Sequence, residues 1–183
     1  SNTEYSAFAD HAFSISDMVA QLDWDDWLHA VDGPRVRRIL DAARGEWHNY
    51  VKAAILRLQE QFRHQRLTGM DVMVAGDIPT GAGLSSSSAL VVAAAEATAM
   101  FNRLSVTARR LVSLCGEGEW FVGTRGGAAD HAAIKLSRRG YVTRVGFFPF
   151  RIEDSSPFFK DHELVVCNSG IYAGKSGKAR HVF

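Results

Sequence analysis

The sequence predicts an α+β fold, a mixed sheet with helices packed against it, on three observations. Stretches 34–62 and 89–121 repeat apolar residues at helical spacing. Short β-rich runs at 70–75, 141–152 and 164–168 are bounded by glycine, proline and polar residues. The two kinds of element alternate, but without the regular strand–helix–strand order of a doubly wound sheet. A chain of 183 residues is long enough to bury the core of one domain, or of one domain with an appendage.

Composition narrows the field. Hydrophobic residues at 46% and charged residues at 22% are ordinary for a globular protein. A net charge of +1 gives no electrostatic reason to expect a nucleic acid or an anionic membrane as partner. Two cysteines, Cys115 and Cys167, with no C-x-x-C pair, argue against a disulfide scaffold and a structural zinc site. No apolar run reaches transmembrane length, and the first residues lack the shape of a signal peptide. The cytoplasm is the expected compartment. Ser1-Asn2 reads as a scar of tag removal and is given no meaning.

Along the chain, residues 3–31 mix aromatic and acidic side chains, as in Asp23-Trp24-Asp25-Asp26-Trp27, without clear periodicity, and no element is assigned there. Pro34 suits a first helical turn, Val36, Ile39, Leu40 and Ala43 share one face, and Gly45 fits a stop. Arg35, Arg37, Arg38 and Arg44 read as a solvated face. A second helix carries the stripe Trp47, Val51, Ala54, Ile55, Leu58 and Phe62, which reads as core. His48 and His64 are too far apart for an i, i+4 metal pair. Further on, Leu104, Ala108, Leu111, Val112 and Cys115 mark a buried face, with Ser105 or Thr107 as cap and Cys115 as a core thiol. Residues 141–145, 147–152 and 164–168 read as strands, and a helix is beginning at Lys175 where the sequence stops. That abrupt end leads us to expect a piece of a longer protein.

The chemistry concentrates in Asp77-Ile78-Pro79-Thr80-Gly81-Ala82-Gly83-Leu84-Ser85-Ser86-Ser87-Ser88-Ala89. It lies between the β-like run 70–75 and the helix 89–100, so it reads as strand, glycine-rich loop, helix. Gly81 and Gly83 permit positive φ and close approach of backbone to a ligand. The serines bring hydroxyls and free N–H groups to the positive end of a helix, which favours an anion. That is a phosphate cradle. The plainer readings are a flexible linker, or a helix start capped by serine. A second glycine-rich bend runs from Gly123 to His131, closing with a carboxylate beside an imidazole, Asp130-His131.

The stretch 79–89 resembles the second motif of the GHMP small-molecule kinases, in the galactokinase form with Gly-Leu-Ser-Ser-Ser. Trp47-His48-Asn49-Tyr50-Val51-Lys52 resembles the galactokinase segment upstream. Gly123 to His131 resembles the family's Gly-x-x-x-Gly-x-x-Asp-Gln bend, with His131 in place of the usual Gln. Leu164 to Gly170 resembles the strand and turn that follow. The resemblance covers 45–183 and leaves 1–44 unassigned. It makes 1–183 part of the family's N-terminal, ATP-binding domain, without the family's first motif and its C-terminal domain.

What the resemblance implies is transfer of the γ-phosphoryl group of MgATP to a sugar hydroxyl, with ATP and Mg²⁺ as cofactors and a sugar as partner. Phosphate contacts then fall on Pro79, Gly81, Ala82, Gly83, Leu84, Ser85, Ser86, Ser87 and Ser88, and Ser87 helps to hold the metal. Asp130 lies by the sugar hydroxyl, as general base or electrostatic partner, and Gly127 lies against the sugar. The family's metal-binding Glu maps onto Gly118, between Glu117 and Glu119. One helical residue is ~100° of rotation, so the two carboxylates cannot both point at a metal, and Glu119 is the choice. A solvated helix-end acid is the plain alternative for Glu119, and a helix N-cap for Asp130. With the family's first motif and its third, glycine-rich C-terminal motif absent, the 183 residues alone are expected to have little or no kinase activity.

Rival classes leave weaker traces. Gly174-Lys175-Ser176 lies where a P-loop would end, but Ser169 stands where the loop wants glycine. No G-x-S-x-G elbow of a serine hydrolase occurs. A galactokinase-like sensor that binds sugar and nucleotide without turnover is the alternative to a kinase, kept open by His131.

Overall fold

The computed structural model describes residues 9–22, 26–43, 45–147, 150–167 and 169–170. The readings of Ser1-Asn2, of Asp23 to Asp25, of Arg44 and Asn168, and of the helix and P-loop remnant after Lys175 lie outside them. Among the described residues there are seven α-helices and one two-stranded sheet, an α+β architecture.

Helix α4 (His48–Gln61) is the axis of the core. Its sequence shows one apolar stripe, and the structure buries it on two sides. Ala54, Ile55 and Leu58 meet Val91, Val92, Ala94 and Ala95 of α5 (Ser86–Phe101) and Leu111, Leu114 and Cys115 of α6 (Ala108–Glu119). On the adjoining face of the helix, Ala53 and Leu56 belong to a second cluster. It gathers Met18 of α1 (Ile15–Gln21), Val31 of α2 (Trp27–Asp32), and Val36 and Leu40 of α3 (Pro34–Ala42), together with Phe121. Among the described residues, α1 and α2 close this second face where the sequence assigns no element. They escape a periodicity test because six or seven residues span fewer than two turns.

The helix ends follow local chemistry. Ser14 accepts from the Asp17 N–H at 3.1 Å, and Asp26 from the Leu28 N–H at 2.9 Å. Pro34 opens α3 at its first turn, Gly45 follows at φ +81°, and Thr107 caps α6 by accepting from the Arg110 N–H at 3.2 Å. Ala108, expected on the buried face of α6, is exposed, since it belongs to the first turn that clears the core. Gly118 lets α6 lie against α4: a Cβ there would be 3.2 Å from the Ala53 carbonyl oxygen. Beside that contact Arg57 is buried and fully engaged. Its Nε donates to Glu117 at 2.8 Å, it pairs with Glu60, and it stacks over the Trp27 ring at 5.6 Å. Buried charge is tolerated because each guanidinium nitrogen has a carboxylate acceptor.

After α6 the chain passes through a 3-10 turn (Trp120–Val122) into α7 (Ala129–Leu136) and the antiparallel pair β1 (Tyr141–Phe147) and β2 (Phe150–Pro157). Glu153 is the extra residue where the register shifts, and it joins Arg144 at 2.9 Å and Arg151 at 2.7 Å. Two expected strands differ from the sequence reading. Residues 70–75 hold one bridge position, Val74, instead of a ladder, and 162–167 hold none. Leu164, Val165 and Val166 are 76%, 78% and 64% exposed, so their apolar pattern has no face to bury among the described residues. β-propensity expresses itself only against a neighbouring strand.

His11 and His48 stack face to face, 3.4 Å between ring centroids. Burial, then the Lys52 ammonium, then the His11 ring push His48 down to about 4. His11 is lowered by burial and Lys52, against a smaller opposing pull from Glu46. His48 is therefore harder to protonate in the fold than in the unfolded chain, where an imidazole titrates near 6.5, and His11 is shifted in the same direction. Stability should be full above pH 6.5 and fall as pH drops from 6.5 toward 4. Denaturant midpoints at pH 7.5, 6 and 5 should show that fall, and His48→Gln should flatten it.

Candidate functional site

The glycine-rich loop delivers the chain into α5 by alternating handedness. Gly81, Gly83 and Ser85 have φ of +69°, +74° and +58°. Alternation of this kind turns backbone N–H groups toward one side, as in anion-binding nests. Two of the three positions are glycine. Ser85 is not, and a left-handed serine carries a cost of about 1 kcal/mol. Its side chain is held: Ser85 Oγ donates to Asp130 Oδ2 at 2.7 Å. No side chain caps α5. The N–H groups of Ser86, Ser87 and Ser88 lie in its first turn, where none has an acceptor within the helix. A linker is excluded, because the loop runs into a 16-residue helix.

Facing this helix end is a cavity of about 140 Å³ lined by Tyr50, Ser87, Ser88, Glu119, Gly123, Thr124, Gly126, Gly127, Asp130 and His131. Ligand pockets run upward from ~300 Å³, and a water in the liquid takes ~30 Å³. The cavity is therefore larger than a few waters but smaller than an ordinary ligand pocket.

The two glutamates of α6 separate as helical rotation requires. Glu117 is taken up by Arg57 and Arg110. Glu119 turns into the cavity, where its Oε1 accepts from Ser88 Oγ at 2.8 Å and lies 3.3 Å from His131 Nε2. A carboxylate in the last turn of a helix opposes the macrodipole. Glu119 thus gains nothing from its own helix, and the open N-terminus of α5 is its compensation. Asp130 lies in the first turn of α7, where the dipole favours it; it accepts from Ser85 and caps no N–H of its helix, which is entered through Ala128. Cys115, one turn before Glu119, is buried, and burial together with the Glu119 charge pushes its thiol up to about 12. It is an inert core thiol, as expected.

Of the residues singled out in the sequence, Ser87, Ser88, Glu119, Gly127 and Asp130 converge on the cavity, and Ser85 joins it through Asp130. Pro79, Gly81, Ala82, Gly83, Leu84 and Ser86 do not line it. They form the loop and the first turn beside it, with Leu84 46% exposed.

Residues 49–138 match the family described as GHMP kinases N terminal domain. The chain is 32% identical over 133 residues to a galactokinase of Roseiflexus sp. (strain RS-1), covering 72% of this chain and 33% of that protein. It is 30% identical over 131 residues to a galactokinase of Dictyostelium discoideum, covering 71% and 26%. A galactokinase of Saccharomyces cerevisiae is 29% identical over 153 residues, covering 74% and 29%. The chain belongs to the GHMP kinases. It spans about a third or less of the length of these relatives.

Within this GHMP kinase segment, sequence reasoning gave no role to Tyr50 and Thr124, which also line the cavity. Tyr50 was hidden within an apolar helix, and Thr124 within a glycine-rich bend. His131 was noted for its place beside Asp130, but its burial at 1% exposure was not foreseen. Alanine at 85 keeps the left-handed strain and loses the bond to Asp130, whereas glycine loses the bond but relieves the strain. Ser85→Ala should therefore be less stable than Ser85→Gly by about 1 kcal/mol in chemical denaturation.

Proposed function

We propose that the chain is part of the N-terminal domain of a galactokinase-like sugar kinase, which transfers the γ-phosphoryl group of ATP to a sugar hydroxyl. The observation that carries this reading is the convergence on one cavity of an uncapped helix N-terminus, two serine hydroxyls and two carboxylates. Phosphoryl transfer asks for little else from a protein than positioning and electrostatic stabilisation. The loop from Pro79 to Leu84 and the N–H groups of Ser85 to Ser88 hold the triphosphate. Gly126 and Gly127, with no side chain to intrude, leave room for the sugar. Asp130 orients the attacking hydroxyl and accepts its proton or its developing charge.

The donors fit Mg²⁺. Ser87 and Ser88 hydroxyls and the Glu119 carboxylate are hard oxygens, and a Mg²⁺ site needs only one or two protein ligands beside phosphate and water. Bound there, the ion neutralises charge on the phosphate oxygens. Thr124 Oγ1 donates to the Glu119 carbonyl at 3.2 Å, tying the bend to the end of α6. Among the described residues no helix is long and apolar enough to cross a membrane, and we place the enzyme in the cytoplasm.

A sugar- and nucleotide-binding sensor is the second reading, favoured by the buried imidazole of His131 next to Glu119. Product analysis on the full-length protein separates the two. Sugar-dependent ADP release supports the kinase. Thermal stabilisation by nucleotide with no product supports the sensor. In the full-length kinase, Asp130→Asn should lower kcat by roughly 10²–10⁴-fold with ATP affinity nearly unchanged. Unaltered turnover would remove Asp130 from the mechanism. The 183 residues alone should release little or no ADP in response to sugar.

A further inference from the structure

At the inner wall of the same cavity, one group is not used by the mechanism above. His131 is 1% exposed, and among the described residues neither of its ring nitrogens makes a hydrogen bond. Leaving two buried nitrogens unbonded is costly. Nε2 lies 3.3 Å from Glu119 Oε1 without hydrogen-bond geometry, and the same Oε1 is 2.8 Å from Ser88 Oγ. These are the separations of neighbouring ligands on one ion. Donors ~2.1 Å from a metal stand ~3.0 Å apart at octahedral angles and ~3.4 Å at tetrahedral ones.

We propose that His131 is a metal ligand, so that Glu119, Ser88 and His131 form a mixed nitrogen–oxygen site for a divalent first-row transition ion. The carboxylate and hydroxyl serve Mg²⁺ and Mn²⁺ alike. An imidazole does not: it favours Mn²⁺, Co²⁺ and Zn²⁺ over Mg²⁺, in rising order of affinity for the first-row ions. A Gln at this position offers only a neutral amide. The histidine therefore changes the class of ion that the corner selects.

The inference shares the cavity with the kinase reading but does not need turnover, so it is tested on the protein without nucleotide or sugar. Mn²⁺ is titrated into wild type, His131→Gln and Glu119→Gln, bound ion is followed by electron paramagnetic resonance, and nitrogen coupling to it is read by pulsed methods. Wild type should show coupling to one imidazole nitrogen, absent from a folded His131→Gln protein. That variant should bind Mn²⁺ about tenfold or more weakly, as expected for loss of a ligand, while its weaker affinity for Mg²⁺ changes little. A merely structural role for the histidine would lower both affinities together.

No nitrogen coupling in wild type overturns the proposal, whatever the variants do. So does coupling that survives in folded His131→Gln, because the nitrogen then belongs to another histidine. If circular dichroism shows His131→Gln unfolded, Glu119→Gln decides: lost coupling supports the shared corner, and retained coupling overturns it. Failure here with Mg²⁺-dependent sugar phosphorylation intact leaves the kinase reading standing. Nitrogen-ligated Mn²⁺ in a protein that makes no product leaves the metal site standing and sinks the kinase.

Discussion

The site depends on the packing of α5 against both α4 and α6. A helix can leave its N-terminal N–H groups open to a ligand only if the rest of it is firmly anchored, since those groups contribute nothing to its own stability. Here the anchor is a run of small and β-branched residues. Val91 and Val92 are almost fully buried and Ala94 and Ala95 let the neighbouring backbones close in. Isolated helices of this length are marginal in water, so tertiary burial carries the load. The far end is held too: Asn102 donates to the Thr98 carbonyl at 3.1 Å and accepts from the Thr68 N–H at 2.7 Å. With that, the serine turn can be held in an arrangement that suits an anion.

The same packing sorts the charges. Two glutamates two residues apart on α6 diverge by ~200°. Glu117 goes to Arg57 and Arg110, a structural pairing that neutralises a buried guanidinium. Glu119 faces the positive end of α5, where the Ser88 hydroxyl donates to it. The close approach at Gly118, between them, sets this division. A Cβ there would lie 3.2 Å from the Ala53 carbonyl oxygen, so a side chain would press on α4 at the point between the two glutamates.

Much of this was legible in the sequence, for physical reasons that differ from part to part. Long helices declare themselves by period, and 34–42, 48–61 and 108–119 lie close to where their apolar residues place them. The glycines at 81 and 83 do adopt the positive φ for which glycine is suited. Ser85, left-handed as well, could not be read that way, because nothing in a serine announces strain. The runs 70–75 and 164–167 form no ladder among the described residues, since a β-rich run specifies an edge but not its neighbour. Glu119 lines the cavity and Glu117 does not, and the partner that takes Glu117, Arg57, lies sixty residues away in sequence. Distant partners of that kind leave no local mark.

Asp130 and Ser85 show how the two glycine-rich segments act as one. The hydroxyl of a strained residue in the cradle is spent on the carboxylate of the second bend, 45 positions on. Both lie at helix N-termini, Ser85 before α5 and Asp130 within the first turn of α7, so the two positive ends point at a common region. An isolated carboxylate there would compete with a phosphate for the open N–H groups of α5. Tied to Ser85 through Oδ2 and favoured by the dipole of its own helix, Asp130 is an exposed residue whose bond to Ser85 leaves Oδ1 unused. In the proposed reaction that oxygen is the one left to meet a sugar hydroxyl, and the bond to Ser85 fixes its distance from the phosphates.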